Sequence, residues 1–512
     1  MITQSNSIYS SFRRAVSKNK SKLAISFEGR DWTFQSLELG IGRICNYLSD
    51  KGFNKGDRII SFGKNSDTYI MFWLACVKMG CIHIPVNYSL TEKELRFIID
   101  NSGACGIFCD EEYLEKISSI AGKVALKYYG LLNSRSQDSQ SLINVAKAYS
   151  NEYFDEVESN ENTLAQIIYT SGTTADPKGV MHTHRSLMSQ YISTIIELDI
   201  KPNDKMLAAL PLYHCAQLHN FSMPCLLMGG TNYILRTPVV SLCFDTVEQH
   251  GITSLFFPPS VWTTFLKEYD QQFSRLTTLV KAYYGASIMP QEVLSKITQL
   301  LPKVGFYNCY GQTEIAPLAT VLRPEEHELR PSSVGKPVFN VETKLMTDDL
   351  KDVEVGCEGE IVHRSPQLLE GYWNNDLETS KAFEGDWFHS GDIGRFDSEG
   401  YLYIVDRKKD VINTGGVVVS SREVEEAIYH HENVHQVAVI GLSDTKWIEK
   451  ICAVIVTKDA KHIDELSLNN FLKVTLAPHK IPKSYKYLDQ LPTNPAGKIL
   501  KRELRDMFEI TD

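Results

Sequence analysis

The sequence predicts an α/β protein: a large N-terminal domain of layered sheets and helices that includes a small β subdomain, followed by a small α+β C-terminal domain. Three observations predict it. From Asp57 short β-branched runs alternate with amphipathic stretches, and strands alternating with helices favour a mostly parallel sheet covered on both faces. After Gly335 the pattern changes to short strands and turns. Beyond Lys409 a separate, compact mixture of helix and strand patterns fills the rest of the chain.

Taken in order, RIISFG, CIHIPV and CGIFCD read as strands, with TYIMFWLACVKMG and TEKELRFIIDNSG as the helices between them. The apolar window from Tyr69 to Val86 is interrupted by Lys78 and Gly80. It falls short of the ~20 residues that span a bilayer and predicts a buried core helix. Residues Asn133 to Asn162 are polar and acidic, a connection with one short helix at LINVAKAY. Strands resume with LAQIIYT, DKMLAALPL, TNYILR, SLFFPP, VKAYYG and FYNCYG. Each ends at Gly, Pro or polar residues, where ligand loops of such sheets belong. GEIVHR is a further strand, and GRFD and YLYIVD form a hairpin around Ser398-Glu399-Gly400. SREVEEAIYHH, VHQVAVIGL, KICAVIVTK and DELSLNNFLKVTL make the last unit. The expected division is 1–405, a linker at 406–409, and 410–512. No repeat of 20 to 50 residues is visible.

The 512 residues are 43% apolar and 23% charged, the composition of a globular protein with a large core. A net charge of -10 argues against a nucleic-acid-coating surface. Eleven cysteines are scattered singly, without disulfide or zinc spacing, which suits a reducing, cytoplasmic setting. The N-terminus has no apolar stretch of signal-peptide length.

The chemistry is concentrated in a few segments. Tyr169-Thr170-Ser171-Gly172-Thr173-Thr174-Ala175-Asp176-Pro177-Lys178-Gly179 follows a strand. Small residues let backbone N–H groups approach an anion, and hydroxyls and Lys178 add donors and charge, which is phosphate-binding chemistry. Its spacing is not that of the G-x-x-x-x-G-K-[ST] loop. Asn308-Cys309-Tyr310-Gly311-Gln312-Thr313-Glu314 also follows a strand, as does Tyr284-Gly285-Ala286-Ser287. Trp387-Phe388-His389-Ser390-Gly391-Asp392 and Asp406-Arg407-Lys408-Lys409 lie on the two arms of the hairpin. Near the end, Pro492-Thr493-Asn494-Pro495-Ala496-Gly497-Lys498 has the Pro and Gly content that presents a lysine on a turn.

Together, from about Trp32 to Leu504, these motifs resemble the adenylate-forming superfamily of acyl- and aryl-CoA synthetases, carrier-loading adenylation domains and beetle luciferases. The resemblance implies that Thr170, Ser171, Gly172, Thr173, Thr174 and Lys178 hold the ATP phosphates. Ala175 departs from the glycine commonest there. It implies that Gly285, Ala286, Ser287, Asn308, Tyr310 and Gly311 line the adenine side, and that Thr313 contacts the α-phosphate. Glu314, with Thr173, is expected to hold Mg²⁺. Asp392 is expected on the ribose hydroxyls with Arg407 in support. Lys409 would be the hinge of a mobile C-terminal domain, and Gly415 and Gly416 would line the route of coenzyme A. Lys498 would neutralise charge as the acid attacks ATP, making Lys498, Thr173, Glu314 and His214 the expected catalytic residues.

Carrier-loading domains for α-amino acids usually have an aspartate after the strand matching Leu207–Leu212; this chain has Tyr213-His214-Cys215-Ala216. The acid pocket is expected to draw on His214, Ala216, Asn220, Phe257, Pro258, Ser260, Ile315 and Ala316, mostly apolar, with His214 matching an aromatic or histidine gate. The wording is most similar to bacterial fatty-acyl-CoA synthetases, implying a fatty or other hydrophobic acid, with ATP, Mg²⁺ and coenzyme A. A carrier protein as acceptor and a luciferase-like oxygenase remain alternatives. Chain length, and monomer against homodimer, stay open.

Overall fold

The computed structural model describes residues 7–134, 140–170, 177–287, 289–414, 417–444, 447–458, 463–493 and 499–509, with the side chains of 268–270 left aside. Among these residues the strands form four sheets. In a nine-stranded sheet, Leu23–Phe27, Thr231–Ile234, Lys205–Ala208, Ser254–Phe256, Lys281–Gly285 and Gly305–Gly311 run parallel in that spatial order. Antiparallel strands flank them, Arg30–Thr33 on one edge and Leu318–Leu322 and Lys336–Pro337 on the other. A six-stranded sheet contains Tyr128–Leu131, Gly106–Cys109, Arg58–Phe62, Ile82–Pro85 and Leu164–Thr170, all parallel, and ends with antiparallel Lys178–Thr183. The expected parallel sheet is therefore two sheets. The alternating text does not say which strand pairs with which, because Leu23–Phe27 finds its partner some two hundred residues away in Thr231–Ile234.

The helix Asp67–Met79 is buried along its whole length, which explains why its sequence is apolar on every face. Ser66 caps its first turn and Gly80, at φ 67°, its last. Of its two charges, Asp67 is fully buried and is met by Arg30 at 2.7 Å and Trp32 Nε1 at 2.8 Å, and Lys78 lies over the Tyr9 ring at 4.7 Å. The basic N-terminal text, without an assigned role in the sequence, forms the helix Ile8–Asn19. Ile8, Phe12, Ala15 and Val16 enter the core, and Arg13 and Arg14 face outward.

The third sheet is antiparallel and contains the expected hairpin, Trp387–Phe396 with Leu402–Arg407, which sets Asp392 opposite Arg407. The fourth joins Val417–Val419, Ile412–Thr414, Ile448–Thr457, Val434–Asp444 and Ser484–Tyr487, with helices Ser421–Tyr429, Glu465–Leu472 and Lys501–Glu509 around it. Asp406 accepts the backbone N–H of Ser421 at 2.6 Å, and Arg505 pairs with Asp410 at 2.7 Å. No helix among the described residues is long and apolar enough to cross a membrane. The eleven cysteines are free.

Candidate active site

Two adjoining cavities collect the motifs. The larger, about 1250 Å³, lies between the third and fourth sheets and the ends of Lys281–Gly285 and Gly305–Gly311. The smaller, about 770 Å³, reaches inward between the six- and nine-stranded sheets. Ala286, Tyr310, Gly311, Arg407 and Lys409 line both, so the two spaces share a wall.

On that wall the Tyr310 hydroxyl donates to Asp392 Oδ2 at 2.8 Å, and Arg407 Nε lies 3.2 Å from Asp392 Oδ1. Burial works against the Arg407 charge, but Asp392, Tyr310 and Asp410 overcome it and hold the guanidinium above its ordinary range. Lys409 moves the other way, lowered by burial and by Arg407. Asn308 anchors itself to the Ser333 carbonyl at 3.0 Å. Two glycines are dictated by space. A Cβ on Gly285 would lie 2.1 Å from the Cys309 carbonyl oxygen, and one on Gly311 would lie 1.8 Å from that of Pro317. Ala286 follows at φ 65°, and Ser287 faces the larger cavity.

In the smaller cavity Thr170 and Lys178 face each other in register at the open end of their strand pair. Lys178 is paired with Glu378 and lies over the Tyr372 ring. The Tyr372 hydroxyl also donates to Glu314 Oε1 at 3.1 Å. Thr313 is held from two sides. His182 Nε2 donates to its carbonyl at 2.9 Å, and its hydroxyl lies 3.4 Å from Cys215 Sγ. Burial lowers His182 to about 4, so the ring is neutral near pH 7.

The acid-side residues sit on an unusual element. Ala216–Ser222 is a π-helix, a geometry that recurs at functional sites. His214, Ala216 and Asn220 line the smaller cavity, with His214 Nδ1 accepting the Ala216 N–H at 3.2 Å. The element is moored by buried polar groups. His219 Nε2 donates to Gln166 Oε1 at 2.7 Å, and Tyr191 OH meets His219 Nδ1 at 2.7 Å. Gln166 Nε2 donates to His83 Nδ1 at 2.9 Å. Ser260 lines the larger cavity, its Oγ buried without a partner among the described residues. Phe257, Ile315 and Ala316 are placed differently from the expectation. They are fully buried in the apolar core, Phe257 against Trp262 and Phe265, and are not among the residues lining either cavity.

Ser171, Gly172, Thr173, Thr174, Gly415, Gly416 and Lys498 lie outside the described residues. The residues that flank 494–498 are informative: Thr493 and Ile499 pair antiparallel, and both line the larger cavity with Tyr310, Asp392 and Arg407. Several site residues were not singled out from sequence. Glu360 binds the Gly391 N–H at 3.1 Å, His389 Nδ1 at 3.2 Å and Lys408 at 3.2 Å. His389 Nε2 and Gln312 Nε2 are buried atoms of the smaller cavity's lining without a partner among the described residues. His389 and Gln312 stand inside the quoted motifs, and that position was the available signal.

The groups assembled here are a strand pair ending at Thr170 and Lys178, a tyrosine–aspartate–arginine cluster and an inner pocket. A family model described as AMP-binding enzyme matches residues 12–373, and one described as AMP-binding enzyme C-terminal domain matches 423–498. The chain belongs to the AMP-binding enzymes, in the group of AMP-forming acid–CoA ligases. It is 31% identical over 486 residues to a feruloyl-CoA synthase of Amycolatopsis sp, covering 95% of this chain and 96% of the relative. It is 32% identical over 486 residues to a long-chain-fatty-acid–CoA ligase of Mycobacterium tuberculosis, covering 94% and 93%. The crystal structure of ATP-bound MatB from Rhodopseudomonas palustris overlays with a TM-score of 0.91 at 27% identity, covering 99% of both chains. The apo form of the same protein overlays at 0.81, so the arrangement here is nearer the ATP-bound one.

Proposed function

We propose that this chain joins ATP to a hydrophobic carboxylic acid to form an acyl-adenylate, then passes the acyl group to coenzyme A, releasing pyrophosphate and AMP. The observation that carries the reading is the shared wall. Tyr310, Asp392 and Arg407 bound a nucleotide-sized space, and the same wall opens into a pocket lined by His214, Ala216 and Asn220.

A carboxylate is a poor electrophile, and attack of its oxygen on the ATP α-phosphorus supplies a leaving group that a thiol can displace. The residues would divide the work as follows. Asp392 accepts the ribose hydroxyls, Arg407 fixes that carboxylate, and Tyr310 lies along the base. Thr170–Thr174 and Lys178 bind the outer phosphates, with Lys178 exchanging Glu378 for phosphate oxygens. Thr313 faces the α-phosphate. Glu314 is the carboxylate that fits Mg²⁺ arriving with ATP. That ion usually takes one or two carboxylates plus phosphate oxygens, and no group of three or more ligating side chains is present among the described residues. The ion would neutralise phosphate charge. Lys498 would do the same at the attacking carboxylate and α-phosphate, a contribution of ~3–4 kcal/mol to the barrier. Lys409 would be the pivot that exchanges Lys498 for Gly415 and Gly416 between the two half-reactions.

The acid is read as fatty or similarly hydrophobic from the likeness to fatty-acid–CoA ligases, and from Tyr213, Cys215 and Ala216 beside His214, which offer no carboxylate to pair with an amine. The singly scattered cysteines support a reducing, cytoplasmic setting for the reaction. Thioester formation assayed over fatty, aryl, short-chain and amino acids with ATP, Mg²⁺ and either coenzyme A or a carrier protein tests the reading. Product only with amino acids, or only with carrier protein, would replace it.

A further inference from the structure

Asn220 is 3% exposed and lines the smaller cavity beside His214 and Ala216. A chain of hydrogen bonds that begins at the backbone fixes which end of its amide faces that space. The Leu318 N–H can only donate, and it reaches Gln190 Oε1 at 3.2 Å. The Leu318 carbonyl can only accept, and it takes Gln367 Nε2 at 2.9 Å. Gln367 Nε2 donates again, to Gln190 Oε1 at 2.8 Å, while its own Oε1 accepts the Ser193 hydroxyl at 2.5 Å. Gln190 therefore presents its carbonyl oxygen to Leu318 and Gln367 and its Nε2 to the π-helix, where it donates to Asn220 Oδ1 at 3.0 Å and Thr194 Oγ1 at 2.7 Å. The Thr194 hydroxyl donates to the same Oδ1 at 2.9 Å. With Oδ1 taken twice, the amide cannot be flipped, and both N–H donors of Asn220 Nδ2 remain without a partner among the described residues.

Asn220 Nδ2 opens onto the cavity, and an occupant that displaces water there must replace its hydrogen bonds, because a donor left unmet away from water is costly. We infer that the preferred acid carries an oxygen acceptor, a carbonyl, ether or hydroxyl, on its otherwise hydrophobic body, and that Asn220 Nδ2 hydrogen-bonds it. The inference rests on the ligase reading and narrows its substrate class. An acid with only hydrocarbon there leaves the donors unpaired and is discriminated against, as in other sites built to bond a substrate oxygen.

The test compares kcat/KM for matched acids that differ only in the acceptor: methoxy against ethyl on arylpropenoic acids, and oxo against methylene at successive positions of straight-chain acids. The wild type favours the oxygenated member of at least one pair by about tenfold or more. In Asn220→Leu and Asn220→Asp that preference disappears, with the ATP KM little changed. Asn220→Asp keeps an oxygen for Gln190 and Thr194 and replaces the donor by an acceptor, so it carries the test if Asn220→Leu does not fold. Equal kcat/KM within every pair, or a preference that survives in Asn220→Asp, overturns the inference while leaving the ligase reading intact. Activation of no acid at all overturns both.

Discussion

Tyr310 and Asp392 meet at 2.8 Å, hydroxyl to carboxylate, and so tie the end of a strand in the nine-stranded sheet to the small antiparallel sheet. Arg407 completes the cluster from the facing strand at 3.2 Å. Asp392→Asn keeps an acceptor for Tyr310 but removes the charge that orders Arg407 and would bind the ribose. Hydrogen bonds to charged groups contribute ~1.5–3 kcal/mol. kcat/KM for ATP should therefore fall about 10- to 100-fold, and the melting temperature should fall as well, because Arg407 loses the charge that offsets its burial. Steady-state kinetics with varied ATP checks this.

Gly311→Ala should fail for a different reason. Its Cβ would stand 1.8 Å from the Pro317 carbonyl oxygen, a backbone atom that cannot swing aside. The strands Gly305–Gly311 and Leu318–Leu322 would have to part where Thr313 and Glu314 are positioned. A loss of ~2–3 kcal/mol or more is expected, seen as a lower melting temperature together with loss of ATP-dependent activity.

Stability should decline on mild acidification. Burial lowers His83 and His363 to about 3 and His182 and His184 to about 4, and holds His219 well below its ordinary value. These rings bind protons in the unfolded chain near pH 6.5 but not in the folded one. The unfolded state therefore takes up more protons below that pH, and stability is full above it and lost as pH falls toward 4. Each such ring contributes a slope of up to ~1.4 kcal/mol per pH unit. Denaturation midpoints between pH 7.5 and 4.5 test the sign; a flat profile would contradict it.

Lys498→Ala should separate the half-reactions. Residues flanking the lysine segment, Thr493 and Ile499, line the same cavity as Tyr310 and Asp392. Loss of one preorganised cation is expected to slow adenylation by ~10²–10³ while thioester formation from supplied acyl-adenylate persists. Equal loss of both would refute that division of roles.

The strands were legible because β-branched runs end at Gly or Pro, and the candidate site was legible where one motif supplies several residues to a cavity wall, as Tyr310–Glu314 does. The division into two sheets was not, since pairing joins distant segments. Nor were Glu360, Tyr372, Glu378 and Gln190, each an ordinary residue in its own stretch that gains meaning only from what it meets. Phe257, Ile315 and Ala316 show the reverse. Their chain neighbours Phe256, Glu314 and Pro317 line a cavity, while these three side chains are fully buried in the core, a placement that a motif match alone does not reveal.

The most direct measurement is acid-dependent ATP–pyrophosphate exchange across a broad acid panel. The proposed chemistry predicts exchange with hydrophobic acids, dependent on Mg²⁺ and slowed by ~10²–10³ in Lys498→Ala. Absence of exchange with every acid would contradict it.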